Sequence, residues 1–209
     1  FKDYRRPESD YKSLILDQYL TQLNLGATYL RSVPFSDLKA FKTIFSNLPQ
    51  RLHLQLANSS TVRYAQLFDM PQRAEIFCNR GTSGIDGSTA TSVGAALINK
   101  NPSLLVTGDL SFFYDINGLW NDYIPSNFRI ILINNQGGGI FRILSGEKDS
   151  PKYETYFETI HGRNAQQISK AFGFQYKSVK SNFGLKWALK NFFKPSRQCK
   201  ILEIKTPRK

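Results

Sequence analysis

Sulfur and imidazole are scarce in this chain, which has two cysteines, two histidines and one methionine among 209 residues. Cys78 and Cys199 share no metal-ligand spacing, and neither has a His, Cys or acidic cluster beside it. Both read as reduced thiols of a cytoplasmic protein rather than as a zinc site or a disulfide framework. No apolar run approaches the roughly 18 residues that a membrane-spanning helix needs, so no membrane span is expected. A G-x-G-x-x-G element between a strand and a helix is missing as well, which argues against a dinucleotide-binding domain. Acidic residues are few, 16 against 28 Lys and Arg, a formal charge of +12. That balance suits an anionic ligand, a nucleic acid or an acidic further portion of the same protein. Much of the excess lies at the ends, in KDYRR and KNFFKPSRQCKILEIKTPRK, and such runs are usually solvated faces, so no nucleic-acid partner is expected.

What is present is alternation. Residues 1–50 carry helical signals: leucines at helix-like intervals in SDYKSLILDQYLTQLNLGA, then Ser36 as an N-cap before a stripe of Leu38, Phe41 and Phe45. This stretch is expected to be a linker or the end of a preceding middle domain plus a first helix. The chain opens on Phe1 rather than Met, which suggests a piece of something longer. From 51 to 209 short β-rich runs alternate with helical ones. Strands are expected at 52–58, 75–79, 103–109, 129–135, 174–179 and 199–205, with helices near 60–68, 88–100, 111–123, 164–172 and 185–193. Strand alternating with helix predicts an α/β, doubly wound, mainly parallel sheet with helices on both faces.

In such sheets ligands bind beyond the carboxyl ends of the strands. Four strand ends break into polar or glycine-rich text there: ANSS, NRGTSGIDG, TGDLS and NNQGGG. Asp109 ends one buried strand and Asn135, 26 positions later, the next, which leaves room for a helical crossover. If the two strands are neighbours, a carboxylate and an amide oxygen face one point. Such hard oxygens suit Mg²⁺ shared with a substrate's phosphates. Glycines beside the pair let the main chain approach a ligand closely and offer a carbonyl. Gly108 permits approach by a phosphate, and Ser111 is expected to cap a helix whose N–H groups point at the anion.

The ordered set of buried strand, GD, helix, buried strand, NN and glycine run resembles the thiamine-diphosphate motif, in which GD and NN hold the cofactor's diphosphate through a divalent metal. GDLSFFYDING, NNQGGGIF, NRGTSGIDG and ANSSTVR together are similar to the C-terminal, diphosphate-binding domain of the MenD family of menaquinone-biosynthesis synthases. The resemblance implies thiamine diphosphate with Mg²⁺ (or Mn²⁺) held by Asp109, Asn135 and the carbonyl of Gly137. It implies Ile85 as the apolar wedge beneath the bent cofactor, with Ser83 and Gly84 beside it. For 2-oxoglutarate and isochorismate it implies Ser59, Arg63 and Arg80, with Ile140, Phe141 and Leu144 as an apolar wall. Arginine suits carboxylates because its planar fork makes two parallel hydrogen bonds.

The implied reaction decarboxylates 2-oxoglutarate and adds the succinyl carbanion equivalent to isochorismate. No catalytic residue is assigned within the chain, since the activating glutamate of these enzymes comes from a separate N-terminal domain, across a dimer interface. The chain alone is therefore expected to lack turnover, and a homodimer or homotetramer is implied. An acetolactate synthase or decarboxylase type of thiamine-diphosphate enzyme is the alternative. Two departures stand out: GDL replaces the GDG of many thiamine-diphosphate enzymes, although GDLS itself resembles the menaquinone enzymes' version, and NNQGG replaces NNNGG, which leaves the role of the Gln136 side chain open while sparing the proposed ligands. Arg142, His53 and His161 are given no catalytic role, a lone histidine being more often structural.

Overall fold

The computed structural model describes residues 9–144 and 152–208. The chain divides into two compact units, Phe1–Pro34 and Phe35–Lys209. In the first, α1 (Tyr11–Ser32) has no buried residue. Leu14, Tyr19 and Leu23 are among its exposed apolar side chains.

The second unit opens earlier than residue 51, because α2 (Asp37–Phe45) belongs to its core. Ser36 caps α2 by accepting from the Lys39 N–H, as its place before the apolar stripe predicts. Phe41, Ile44 and Phe45 then turn inward and are buried. Six strands follow: β1 (Arg51–Leu56), β2 (Arg73–Cys78), β3 (Ser103–Gly108), β4 (Phe128–Asn134), β5 (Gln175–Val179) and β6 (Lys200–Lys205). All neighbours are parallel, in the order β2-β1-β3-β4-β6-β5. Between them lie α3 (Ser60–Ala65), α4 (Ser88–Ile98), α5 (Asp109–Tyr114), α6 (Ile140–Ile143), α7 (Gln166–Ala171) and α8 (Asn182–Phe192), with a π-helical turn at Tyr153–Glu158.

Burial on both faces explains the near-continuous apolar text of the central strands. Every residue of FRIILIN in β4 is buried. Side-chain alternation sends Ile131 and Ile133 into one core, with Leu104, Val106, Leu202 and Phe41. It sends Ile130 and Leu132 into the other, with Leu105, Phe112 and Ile201. Each such side chain contributes about 1.5–3 kcal/mol by leaving water. Arg129 is the charged exception, buried at the amino end of β4. Its guanidinium donates to the carbonyls of Ser126, Phe128, Phe192 and Lys194, the last two at the carboxyl end of α8, which satisfies the charge where the helix dipole is negative.

The strand order sets the site. The chain moves outward from β1 to β2, then returns so that β3 lies on the other side of β1. Ala65 of α3 packs into one core and Phe112 of α5 into the other. The connections after β1 and β3 thus leave towards opposite faces, which opens a crevice at their carboxyl ends.

Candidate functional site

A cavity of about 540 Å³ occupies this crevice. It is lined by Gly108, the last residue of β3, and by residues that follow β1 (Asn58, Ser59, Arg63), β2 (Arg80, Ser83, Gly84, Ile85), β3 (Asp109, Ser111) and β4 (Asn135, Gly137, Ile140, Phe141, Leu144). Every residue singled out from the sequence stands on this lining. Asp37 and Phe41, both of α2 and neither assigned to the site from the sequence, also line it.

Asp109 and Asn135 come to one cavity because β3 and β4 are hydrogen-bonded neighbours, with Gly108 in register with Ile133. Both side chains are buried. Asp109 Oδ1 accepts from the Leu110 N–H at 2.7 Å, and Oδ2 from the Gly137 N–H at 3.0 Å, which bridges the two strand ends directly. Burial pushes the Asp109 carboxyl up to about 6, against the opposing pull of His161 and of backbone N–H groups.

The two amides of NNQGGG point to opposite faces of the sheet. Asn134 turns towards β6, where its Nδ2 donates to Glu203 Oε1 at 2.5 Å and to the Arg163 carbonyl. Its Oδ1 accepts from the Gln136 N–H at 3.1 Å, an Asx turn that holds Gln136 at φ +67°. Glu203 is fully buried and also accepts from the Tyr176 hydroxyl. The Gln136 side chain is exposed. Asn135 turns the other way, and its Nδ2 donates to Asp37 Oδ2 at 2.8 Å. Asp37 Oδ1 accepts from the Thr206 hydroxyl. Burial raises the Asp37 carboxyl above its ordinary range, opposed by the Thr206 and Asn135 hydrogen bonds and by the charge of Arg142.

The glycine run serves close approach. A Cβ at Gly137 (φ +147°) would stand 2.5 Å from the Glu158 carbonyl oxygen, and one at Gly139 would stand 2.6 Å from Asn135 Nδ2. The π-helical turn lies against this loop, since the Gly138 N–H donates to the Glu158 carbonyl at 2.6 Å. Arg142 pairs with Glu158 through two bonds of 2.9 and 3.0 Å and so ties α6 to that turn.

The other rim is held by Asn58, whose Nδ2 donates to the carbonyls of Asn79 and Gly84, both at 2.6 Å, and whose Oδ1 accepts from Arg80 Nη1 at 3.0 Å. One edge of the Arg80 guanidinium is thereby anchored on a side chain otherwise exposed, as Arg63 is. Ser59 (φ +67°) and Ser83 (φ +57°) hold left-handed backbone conformations on the lining, the kind of strain that gathers at functional sites.

Three expectations change. Ser111 is not a helix cap, because α5 begins two residues earlier, behind Gly108; the Ser111 hydroxyl donates instead to the Ile85 carbonyl at 2.6 Å and anchors that loop. The helix expected over 111–123 is short, ending at Tyr114 and followed by a 3₁₀ turn at Ile116–Leu119. Asp115, at that break, accepts from the N–H groups of Thr89 and Ala90 and so caps α4 from a distance. Third, His161 stands at the site: its Nε2 lies 3.3 Å from Asp109 Oδ2, within ion-pair range if the ring is protonated but not aligned as a hydrogen bond. Nothing in the sequence around His161 signals this, since its position follows from the fold of the turn over the glycine loop. His53 is structural, buried between Gln55 and Asn99.

The residues present suit a divalent cation and a diphosphate. Asn135 Oδ1 is buried with no hydrogen-bond partner, which is costly unless something compensates it. The desolvated carboxylate of Asp109 lines the same cavity, and both groups offer hard oxygens of the kind Mg²⁺ and Mn²⁺ take.

Residues 58–204 match the family described as thiamine pyrophosphate enzyme, C-terminal TPP binding domain. The chain belongs to this family. More particularly, it is 52% identical over 181 residues to the 2-succinyl-5-enolpyruvyl-6-hydroxy-3-cyclohexene-1-carboxylate synthase of Christiangramia forsetii, covering 87% of this chain and 31% of that protein. It is 48% identical over 202 residues to the synthase of the same name from Flavobacterium psychrophilum, covering 97% of this chain and 36% of that protein. The chain therefore spans about a third of the length of these curated relatives. Among solved structures it shares its fold with benzoylformate decarboxylase from Polynucleobacter necessarius (TM-score 0.69, 18% identity, 86% of this chain and 34% of that one). The same holds for a thiamine diphosphate-dependent 4-hydroxybenzoylformate decarboxylase of Rhodococcus jostii RHA1 (TM-score 0.68, 18% identity, 84% and 33%).

Proposed function

We propose that this chain is the cation- and diphosphate-binding part of a thiamine-diphosphate-dependent synthase that decarboxylates 2-oxoglutarate and adds the resulting four-carbon unit to isochorismate, in menaquinone biosynthesis. The observation that carries the reading is the pair Asp109 and Asn135, at the ends of adjacent parallel strands on one cavity, with the Asn135 oxygen buried and unpartnered. The identity of about half the residues with the two synthases supports this choice of substrates. In this reading Asp109, Asn135 and the Gly137 carbonyl hold Mg²⁺ or Mn²⁺, and Gly108 and Ser111 flank the diphosphate. Ile85, with Ser83 and Gly84, supports the rings. Bound thiamine diphosphate supplies the carbon nucleophile and the electron sink. Arg63 and Arg80, with Ser59, orient the substrate carboxylates, while Ile140, Phe141 and Leu144 keep water from the reacting carbon.

The activating glutamate is assigned to a further domain of the same protein, working as a homodimer or homotetramer in the cytoplasm. No helix among the described residues is long and apolar enough to cross a membrane. Calorimetric titration with thiamine diphosphate, with and without Mg²⁺, tests the site. Binding is expected to require Mg²⁺ and to vanish in Asp109→Ala; metal-independent binding indifferent to that substitution overturns the reading. Turnover by the full-length protein with isochorismate, but not with pyruvate, as acceptor separates it from an acetolactate synthase type. Robust release of carbon dioxide from 2-oxoglutarate by the 209-residue chain alone would refute the assignment of the activating group elsewhere.

A further inference from the structure

An asparagine side chain is nearly symmetric in shape and opposite in chemistry at its two ends. Only the oxygen accepts a cation, while the NH₂ end repels one. Something must therefore decide which end of Asn135 faces the cavity. We propose that Asp37 is the positioning residue that decides it, making Asn135 an oxygen donor; this rests on the reading of the cavity as a cation and diphosphate site.

The argument is one of hydrogen-bond bookkeeping. In its ionised form Asp37 has no hydrogen to give, and the group it meets at 2.8 Å is the amide's Nδ2. That leaves Oδ1 as the end not held by Asp37, buried without a partner in a residue that lines the cavity. Asp37 is itself immobilised. Its other oxygen takes the Thr206 hydroxyl, and the Thr206 N–H is bonded to the Asn134 carbonyl at 3.1 Å. It is also the first residue of α2, behind the Ser36 cap. With both oxygens engaged, Asp37 lines the cavity as an orienting group rather than as a ligand. Gly139 completes the lock, because only a residue without Cβ leaves room for Nδ2 where Asp37 holds it.

The test is a comparison of Asp37→Asn with the exchanged double variant Asp37→Asn/Asn135→Asp in the full chain, reading thiamine diphosphate binding by calorimetry over a series of Mg²⁺ concentrations. In Asp37→Asn the new amide satisfies Thr206 with its oxygen and presents NH₂ to Asn135, which must then turn its own oxygen away from the cavity. The Mg²⁺ concentration for half-maximal binding is expected to rise about ten-fold or more, with affinity recovering at saturating Mg²⁺. The double variant restores a donor–acceptor pair in reversed sense, with an oxygen again on the cavity, and is expected to return the Mg²⁺ dependence close to the original. Unchanged Mg²⁺ dependence in Asp37→Asn overturns the proposal. So does an equal loss of affinity at every Mg²⁺ concentration, which is what a merely structural role predicts. If the single variant does not fold, the double variant decides. Folded and Mg²⁺-responsive, it upholds the proposal; folded without response, or unfolded although every bond of the pair is retained, it overturns it. Absence of Mg²⁺-dependent binding in the unaltered chain would overturn the site reading, and the proposal with it.

Discussion

Gly139→Ala isolates one contact of the site. Gly139 has φ −53° and ψ −22°, a helical conformation open to any residue, so backbone strain plays no part. By restricting the unfolded chain alone, the change should stabilise by about 0.4–1 kcal/mol. Against this, the new methyl would lie 2.6 Å from Asn135 Nδ2, far inside contact distance. The amide must swing away and give up its 2.8 Å bond to Asp37, and a hydrogen bond to a charged group is worth about 1.5–3 kcal/mol. The net expectation is a loss of about 1–2 kcal/mol, or a few degrees in melting temperature for a chain of this size. Gly94→Ala is the matched control: Gly94 is exposed within α4 and a Cβ there meets nothing within 4 Å, so helix propensity alone should stabilise by about 1 kcal/mol. In urea unfolding the two midpoints should move in opposite directions, and Gly139→Ala should also weaken Mg²⁺-dependent thiamine diphosphate binding. A Gly139→Ala midpoint that stays put or rises with the control would show that the amide has slack, and the account of a pinned Asn135 would be wrong.

Asp115→Ala removes the acceptor of the Thr89 and Ala90 N–H groups at 2.6 and 2.9 Å. Because the cap residue Gly87 offers no side-chain bond, the loss should be about 2 kcal/mol, with faster hydrogen exchange at those two amides; unaltered exchange there would contradict the capping role. Glu158 is held below its ordinary value of 4.5, chiefly by its hydrogen bonds to Arg142. A depressed carboxyl stabilises the fold above its unfolded pKa and ceases to do so as pH falls through the folded one. The stability advantage of the unaltered chain over Glu158→Gln should therefore be full at pH 7 and shrink below about pH 4.5 in denaturant titrations, and an advantage that grew on acidification would show the assigned sign to be wrong.

Much of the site was legible because its parts are strand ends. The apolar runs SLLVTG and FRIILIN announce buried strands, and the polar or glycine text after each announces a rim, so Asp109, Asn135 and the loop residues could be named before any packing was known. Less legible were the groups that hold them. Ser111 reads as a cap from its place after GD, yet the helix starts behind Gly108, and the hydroxyl is used on the Ile85 carbonyl. His161 sits in text without any motif and reaches Asp109 only because the π-helical turn folds over the glycine loop. Asp115 looks like part of the GDLSFFYDING signature but serves as the distant cap of α4.

By itself the sequence determined local preference: which runs must be buried on both faces, where each strand stops, and which oxygens and glycines stand at those stops. These follow from period, propensity and side-chain chemistry over a few residues. Tertiary structure alone decided adjacency. β6 lies between β4 and β5, which brings Glu203 to Asn134 and Thr206 to Asp37, and α2 docks so that Asp37 meets an amide 98 positions away. Contacts between distant residues depend on how the whole chain buries its two cores, and no short stretch carries that information.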